Sequence, residues 1–199
     1  MPRLNLIIAQ VSATHVGAAL SQRGRELLSV LAKRQGIECP LADWSPRGSG
    51  VPRHPALKAP YQASLSHSDK RVLAGVSNVP VGIDIEHTRA RHAARLSSLV
   101  ELLPEPDVKR AILKAKDPLA AFYRAWTLYE ALYKLDSVSH EPPSSLLSTR
   151  LARLAPHGNA HAWIWQSQGW TISVVSHAFN LHIDCLPELP FKKFELKRS

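Results

Sequence analysis

Cysteine, methionine and glycine are scarce in this chain of 199 residues, which holds two, one and nine of them. Cys39 and Cys185 are far apart and form no CxxC pair, so neither a disulfide framework nor a cysteine-rich metal knot holds the fold. Two buried reduced thiols are expected instead. The chain has no acidic polar tract and no Gly/Ser-rich composition, which excludes disorder over most of its length. Long hydrophobic runs are missing as well. The run Leu4-Asn5-Leu6-Ile7-Ile8-Ala9-Gln10 is broken by Asn and Gln before it reaches signal-peptide length. No stretch approaches the ~20 apolar residues of a membrane span. The expectation is a cytoplasmic protein with no membrane attachment.

Acidic residues are the minority charge, 16 against 25 lysines and arginines, for a net charge of +9. The imbalance is uneven: residues 1–100 carry 13 basic and 6 acidic side chains, the remainder 12 and 10. An anion site is therefore expected in the first half, for nucleic acid, an anionic membrane, a phosphorylated small molecule or an acidic protein. With 45% hydrophobic and 21% charged residues the composition is that of a globular protein, long enough for one domain or two small halves sharing a core.

Periodicity supplies the outline. Leu4 to Ala9 reads as a buried strand and Ser21 to Gln35 as a helix, with Leu20, Leu27, Leu28 and Leu31 at helical spacing and Gly36 as its stop. Cys39 to Pro60 is proline-rich and aperiodic, a surface loop carrying Arg47, Arg53 and Lys58. Tyr61 to Ser66, Arg71 to Ser77 and Pro80 to Glu86 read as an antiparallel meander. Helices are expected over Arg91 to Leu103, Asp107 to Lys116, and from Pro118 to about Leu135 with Asp117 as N-cap. After a Ser/Pro-rich loop, Ser137 to Ser145, strands are expected at Leu146 to Leu154, Ala160 to Gln166, Trp170 to Ser176 and Leu181 to Leu186. The tail with Lys192, Lys193, Lys197 and Arg198 is expected to fray. Arg71-Val-Leu-Ala-Gly-Val-Ser77 echoes Trp170-Thr-Ile-Ser-Val-Val-Ser176, as two similar α+β halves would require.

Three stretches carry chemistry. In Val81-Gly82-Ile83-Asp84-Ile85-Glu86 a period of two sends the β-branched residues to the core and puts Asp84 and Glu86 side by side on the other face. Such a pair suits Mg²⁺ or Mn²⁺, while a solvated acidic edge strand would read the same way. On the predicted fourth helix Leu119, Phe122, Trp126, Tyr129 and Tyr133 form one stripe, with Glu130 and Lys134 on its border one turn apart. These two would reach one ligand, or simply pair on a solvated face. Ser64-Leu65-Ser66-His67-Ser68 puts a histidine beside hydroxyls at a strand end, a phosphate contact or a structural turn.

In this order and spacing, Ser-His-Ser, then Gly82-Ile83-Asp84, then Trp126-Thr127-Leu128-Tyr129-Glu130-Ala131-Leu132-Tyr133-Lys134, the chain resembles the 4′-phosphopantetheinyl transferases, in particular their larger Sfp-type monomers. The resemblance covers about residues 20 to 180. It implies an α+β fold made of a pseudo-twofold pair of halves, antiparallel sheets packed against helices, here 1–88 and 89–199, with the site between them. It also implies transfer of phosphopantetheine from coenzyme A to a serine of an acyl or peptidyl carrier protein. By the same resemblance Asp84, Glu86 and Glu130 hold Mg²⁺ (or Mn²⁺), Glu130 takes the serine proton, Lys134 contacts the pyrophosphate, and His67, Arg25 and Arg53 contact phosphates of coenzyme A. A monomer without a nucleic-acid partner is expected, since the basic residues are scattered rather than gathered on one helix. Tyr129 stands where the family signature has lysine. It therefore leaves open a non-catalytic relative that binds coenzyme A or a carrier protein.

Overall fold

Strand β1 (Arg3–Gln10) alternates Leu4 and Leu6, which are fully buried, with residues that face the other way, so it is covered on both sides. In the computed structural model, which describes residues 1–12, 16–138 and 143–196, β1 is an inner strand. It pairs antiparallel with β3 (Arg71–Ser77) and parallel with β7 (His182–Leu186), and β2 (Gln62–Ser68) completes the sheet in the order β2-β3-β1-β7. The second sheet is fully antiparallel, β4 (Val81–His87), β6 (Trp170–Ser176), β5 (His161–Ser167) and β8 (Lys192–Phe194) in that order.

The fold is thus α+β, with two departures from the expected strands. β2 and β3 form the hairpin, but β4 leaves that sheet and pairs with β6. The second hairpin, β5–β6, is likewise followed by a strand, β7, that joins the first sheet, and there one pair is parallel. Each hairpin therefore sends its next strand into the other sheet. The apolar faces explain this exchange: Val81, Ile83 and Ile85 of β4 are buried with Leu4, Leu6, Trp163 and Ile172 between the two sheets. That closure removes more apolar surface from water than an open three-strand meander would.

Helices cover the outer faces. Leu20, Leu27, Leu28 and Leu31 of α1 (Val16–Arg34) pack on Val72, Ala74 and Val76. α4 (Pro118–Asp136) packs on the second sheet together with α2 (Leu96–Glu101) and α3 (Pro106–Leu113). Asp117 caps α4 as expected, accepting from the Ala120 N–H at 2.9 Å, with Pro118 in its first turn. The buried face of α4 is wider than the predicted stripe: Ala125, Thr127, Leu128, Ala131, Leu132 and Leu135 are all buried, because strands lie on one side and α2 and α3 on another.

Three local readings change. Leu146 to Leu154 is not a strand but two 3₁₀ turns, Leu146–Ser148 and Leu151–Leu154. The first has a Ser145/Ser148 capping box, and the N–H groups of Leu151 and Ala152 go to the Glu105 carboxylate at 2.7 and 3.0 Å rather than to a ladder. The segment expected as a helix from Arg91 begins with a 3₁₀ stretch, Ala90–Arg95, and is α-helical only over α2. The tail does not simply fray: β8 adds to the edge of β5. Lys197 and Arg198, and residues 139–142 of the expected Ser/Pro-rich loop, lie outside the described residues. Cys39 and Cys185 are both buried free thiols, and burial pushes the Cys185 thiol up to about 12. Among the described residues no helix is long and apolar enough to cross a membrane.

Candidate active site

The candidate site forms where β2, β4 and α4 meet. With Val81, Ile83 and Ile85 turned to the inter-sheet core, Gly82, Asp84 and Glu86 face α4. Gly82 has no room for a side chain: a Cβ there would lie 1.8 Å from the Ala131 carbonyl oxygen and 2.7 Å from the Leu135 nitrogen. This close approach lays β4 against the last turns of α4, which bring Glu130 and Lys134 to Asp84. α4 is held from below by Thr127, whose hydroxyl pairs with the Ser173 hydroxyl of β6 at 2.7 Å.

Serines of β2 complete the alignment. The Ser66 hydroxyl donates to Asp84 Oδ1 at 2.7 Å and the Ser68 hydroxyl to Glu86 Oε2 at 2.6 Å. The Ser66 and Ser68 hydroxyl oxygens in turn accept from the Ile85 and His87 N–H groups, at 3.4 and 3.2 Å, satisfying the edge of β4 that has no ladder partner. The sequence carries the signal for this, since Ser66 and Ser68 precede Asp84 and Glu86 by the same spacing of 18. Without knowing that β4 runs beside β2, the serines read only as neighbours of His67.

Asp84 is 3% exposed. Its Oδ1 also accepts from the Lys134 ammonium at 2.7 Å, and Lys134 reaches Ser66 Oγ at 3.0 Å. Its Oδ2 is buried with no hydrogen-bond partner. Burial raises the Glu86 carboxyl above the usual range; the Ser68 hydroxyl opposes the rise, and the Asp84 and Glu130 charges add to it. Burial and the Asp84 charge likewise raise Glu130, against the pull of Lys134.

A divalent cation fits this donor set. The oxygens are all hard carboxylate ligands, one buried oxygen is unsatisfied, and the Asp84 charge adds to burial in raising Glu86 and Glu130, offset in part by Lys134 at Glu130 and by Arg89 at Glu86. As the side chains stand, no three Asp, Glu, His or Cys residues among the described residues are gathered tightly enough to enclose an ion, and Lys134 holds the cationic position on Asp84.

Of the seven residues singled out from the sequence, six line one cleft of about 350 Å³: Arg25, His67, Asp84, Glu86, Glu130 and Lys134. Arg25 clamps the loop after α1, with Nε and Nη2 donating to the Ser45 carbonyl at 2.9 and 2.7 Å and Nη1 to the Ser21 carbonyl at 3.0 Å. Its charge is fixed in the wall while most of its donors are spent. The His67 ring lies at the cleft mouth, and the protein around it, then Lys134, hold its pKa below the ordinary histidine value.

Arg53 is the exception: it lines the next groove with His54 and Gln62, a space of about 310 Å³ that shares only Pro52 with the cleft. Arg47 lines the cleft and was legible only as a basic loop residue. The flanking Gly48 and Gly50 adopt φ of 85° and 86°, which lets the loop fold back over α1 so that the Arg47 guanidinium lies 3.3 Å from where a Gly17 Cβ would stand.

Tyr129 is not in the cleft. Its side chain is fully buried in the core on another flank of α4, and its hydroxyl donates to Glu105 Oε2 at 2.7 Å. Burial and Glu105 both raise its pKa far above the ordinary tyrosine value.

A wall of cations facing a group of carboxylates has the chemistry to receive a polyanion together with a divalent cation, the donor types that phosphoryl transfer calls for. Residues 80–177, which hold β4, α4, β5 and β6, match the model of the 4′-phosphopantetheinyl transferase superfamily. The match spans just under half of the chain, includes Asp84, Glu86, Glu130 and Lys134, and supports a role in phosphopantetheinyl transfer, with coenzyme A as the family's substrate. No curated protein matches the chain.

Proposed function

We propose that the chain transfers the 4′-phosphopantetheine group of coenzyme A to a serine hydroxyl of an acyl or peptidyl carrier protein, as an Sfp-type monomer whose halves, 1–88 and 89–199, form a pseudo-twofold pair. The observation that carries this reading is the buried, unpartnered Oδ2 of Asp84 in a cleft shared with Glu86, Glu130, Lys134 and the basic wall. Asp84, Glu86 and Glu130 would hold Mg²⁺, or Mn²⁺ in its place, and the ion supplies charge neutralisation on the pyrophosphate of coenzyme A.

The chain's own residues do the rest. Lys134, one ammonium shared by Asp84 and Ser66, would supply the cationic contact to a pyrophosphate oxygen. Arg25, Arg47 and His67 hold phosphate oxygens at the other end of the cleft, and the fixed Arg25 guanidinium sets the register. Arg53, in the adjoining groove, reaches the more distant part of the same ligand. Glu130, whose raised pKa favours proton uptake, accepts the serine proton as the serine oxygen bonds to phosphorus. The phosphorus–oxygen bond to the leaving phosphate breaks, and adenosine 3′,5′-bisphosphate departs with the electron pair.

The test is intact-mass analysis of apo acyl and peptidyl carrier proteins incubated with the chain, coenzyme A and Mg²⁺. Gain of one phosphopantetheine on the carrier serine is expected. A second reading rests on the Lys134–Asp84 pair, which fills the cationic position without a metal. By that reading the chain binds coenzyme A and does not transfer it. Calorimetric coenzyme A binding with no mass gain on any carrier class would select it.

A further inference from the structure

Ser66 and Ser68 of β2 are both buried, and lying two residues apart on one strand they face β4 together. Each hydroxyl has a single proton to give. The Ser66 oxygen accepts twice, from the Ile85 N–H at 3.4 Å and from the Lys134 ammonium at 3.0 Å, so its proton is left for Asp84 Oδ1. The Ser68 oxygen accepts from the His87 N–H at 3.2 Å, and its proton goes to Glu86 Oε2. Backbone groups of β4 thus fix the direction in which both hydroxyls donate.

The consequence lies in the oxygens that remain. Asp84 Oδ1 holds two donors, the Ser66 hydroxyl and the Lys134 ammonium, each at 2.7 Å, while Oδ2 holds none. Glu86 Oε2 holds the Ser68 hydroxyl, and among the described residues no hydrogen bond reaches Oε1. Each of these carboxylates has one oxygen committed to the protein and one to offer. Such a group meets a cation through one contact, because chelation through both oxygens has to break the bond to its serine. Single contacts suit Mg²⁺, which takes six oxygens at ~2.0–2.1 Å in an octahedron, and Mn²⁺, which accepts the same octahedral oxygen donors. Ca²⁺ takes six to eight oxygens at ~2.3–2.6 Å and draws readily on chelating carboxylates.

We infer that Ser66 and Ser68 are positioning residues that set the cation preference of the site: they restrict Asp84 and Glu86 to one oxygen each and so favour Mg²⁺ or Mn²⁺ over Ca²⁺. The serines act through the carboxylates they orient, as outer hydrogen-bond partners of metal ligands do. Ser68 has the larger share. Glu86 Oε2 has no second donor among the described residues, whereas Lys134 keeps Asp84 Oδ1 engaged when the Ser66 hydroxyl is gone. The inference rests on the reading that Asp84, Glu86 and Glu130 hold a divalent ion, and it adds which residues decide the ion.

The test measures ion binding itself. Mn²⁺ is titrated into the full chain with coenzyme A, its uptake is read from the loss of the free Mn²⁺ paramagnetic resonance signal against a coenzyme A blank, and Mg²⁺ or Ca²⁺ is then used to displace it. In the original chain Mg²⁺ should displace Mn²⁺ at a lower concentration than Ca²⁺ does. In Ser68→Ala the Ca²⁺ requirement should fall relative to that of Mg²⁺ by about tenfold, and in Ser66→Ala by less. Ser68→Thr keeps the hydroxyl and should hold the original ratio. A serine that only packed the strand would, when removed, weaken all three ions alike. Equal weakening in Ser68→Ala, an unchanged ratio, or a Ser68→Thr chain that behaves as Ser68→Ala does overturns the inference and leaves the metal reading standing. An original chain that takes up no Mn²⁺ overturns both. Circular dichroism checks folding, and if Ser68→Ala does not fold the ratio in Ser66→Ala decides: a shift toward Ca²⁺ upholds the inference and no shift overturns it.

Discussion

Asp84 and Glu105 are both carboxylates bonded to residues of α4, yet they end in opposite states. Glu105 spends its oxygens on the Tyr129 hydroxyl and on the N–H groups of Leu151 and Ala152. Asp84 keeps Lys134 and Ser66 on one oxygen and has nothing on the other. A carboxylate with its lone pairs engaged by fixed neutral donors is a structural joint, here tying α3, α4 and the turn at Leu151. One buried with an empty oxygen among other acidic groups costs stability and is useful only when a cation arrives. Consecutive residues of one helix serve these two ends, Tyr129 and Glu130. The signature position occupied by Tyr129 thus belongs to the joint in this chain and not to the cleft.

The comparison breaks most visibly at Asp84. Asp84→Asn keeps the shape and an acceptor for Ser66 and Lys134 but removes the charge. Carrier modification should fall about 1,000-fold, the equivalent of about 4 kcal/mol of barrier, while the thermal midpoint holds or rises. Parallel activity and thermal-unfolding measurements check this, and a large loss of both together would make Asp84 a joint like Glu105.

Gly82→Ala strikes the packing that places Asp84. A methyl group 1.8 Å from the Ala131 carbonyl has no flexible side chain to push aside, so β4 and α4 must separate. About 3 kcal/mol of stability should be lost, and transfer should fall further than the folded fraction explains. Urea unfolding alongside specific activity reads both.

What the sequence reveals about these regions follows from the range of the interactions. The period of β4 and the four-residue step from Glu130 to Lys134 are local, so Asp84, Glu86, Glu130 and Lys134 are legible from pattern alone, whereas Arg25 is reached only through the resemblance and Arg47 reads only as a basic loop residue. The Asp117 cap and the strand identities of β1 to β6 are legible from pattern too. The exchange of β4 and β7 between sheets depends on apolar faces distant in sequence, and a meander is the natural reading without it. The pairing of Ser66 with Asp84 comes only with that exchange. Glu105 carries no signal: it precedes a proline at a helix start, and its partners lie 24, 46 and 47 residues away. The same distance effect turned Leu146 to Leu154 from an expected strand into turns, since a side chain takes the N–H groups a ladder would have used.

Glu105→Ala tests the joint directly. It leaves the Leu151 and Ala152 N–H groups and the Tyr129 hydroxyl without their acceptor, at a cost of about 2–3 kcal/mol in denaturant unfolding. Transfer per folded molecule should stay within about twofold of the original, the reverse of the Asp84 result. A coenzyme A KM that rises with the loss of Glu105 would tie this flank of α4 to the cleft after all.

The finest discrimination comes from Tyr129→Phe, which removes one hydroxyl and should cost about 1 kcal/mol at neutral pH with the coenzyme A KM unchanged. Its pH dependence identifies the cause. In the folded chain the phenol is held protonated far above its ordinary value of 10.0 by burial and by the Glu105 charge, whereas the unfolded chain ionises near that value. The native state therefore retains a proton that the unfolded state releases, so stability falls as pH rises. The stabilisation from this phenol is fully present below pH 10 and declines above it by about 1.4 kcal/mol per pH unit. Every other residue is common to the two proteins, so the difference between them isolates this hydroxyl. Urea unfolding of the two chains at pH 8 and at pH 10.5 should show the original chain losing its advantage over Tyr129→Phe at the higher pH. A constant difference would mean that the hydroxyl ionises in the folded state as freely as in water, and that the bond to Glu105 does not form in solution.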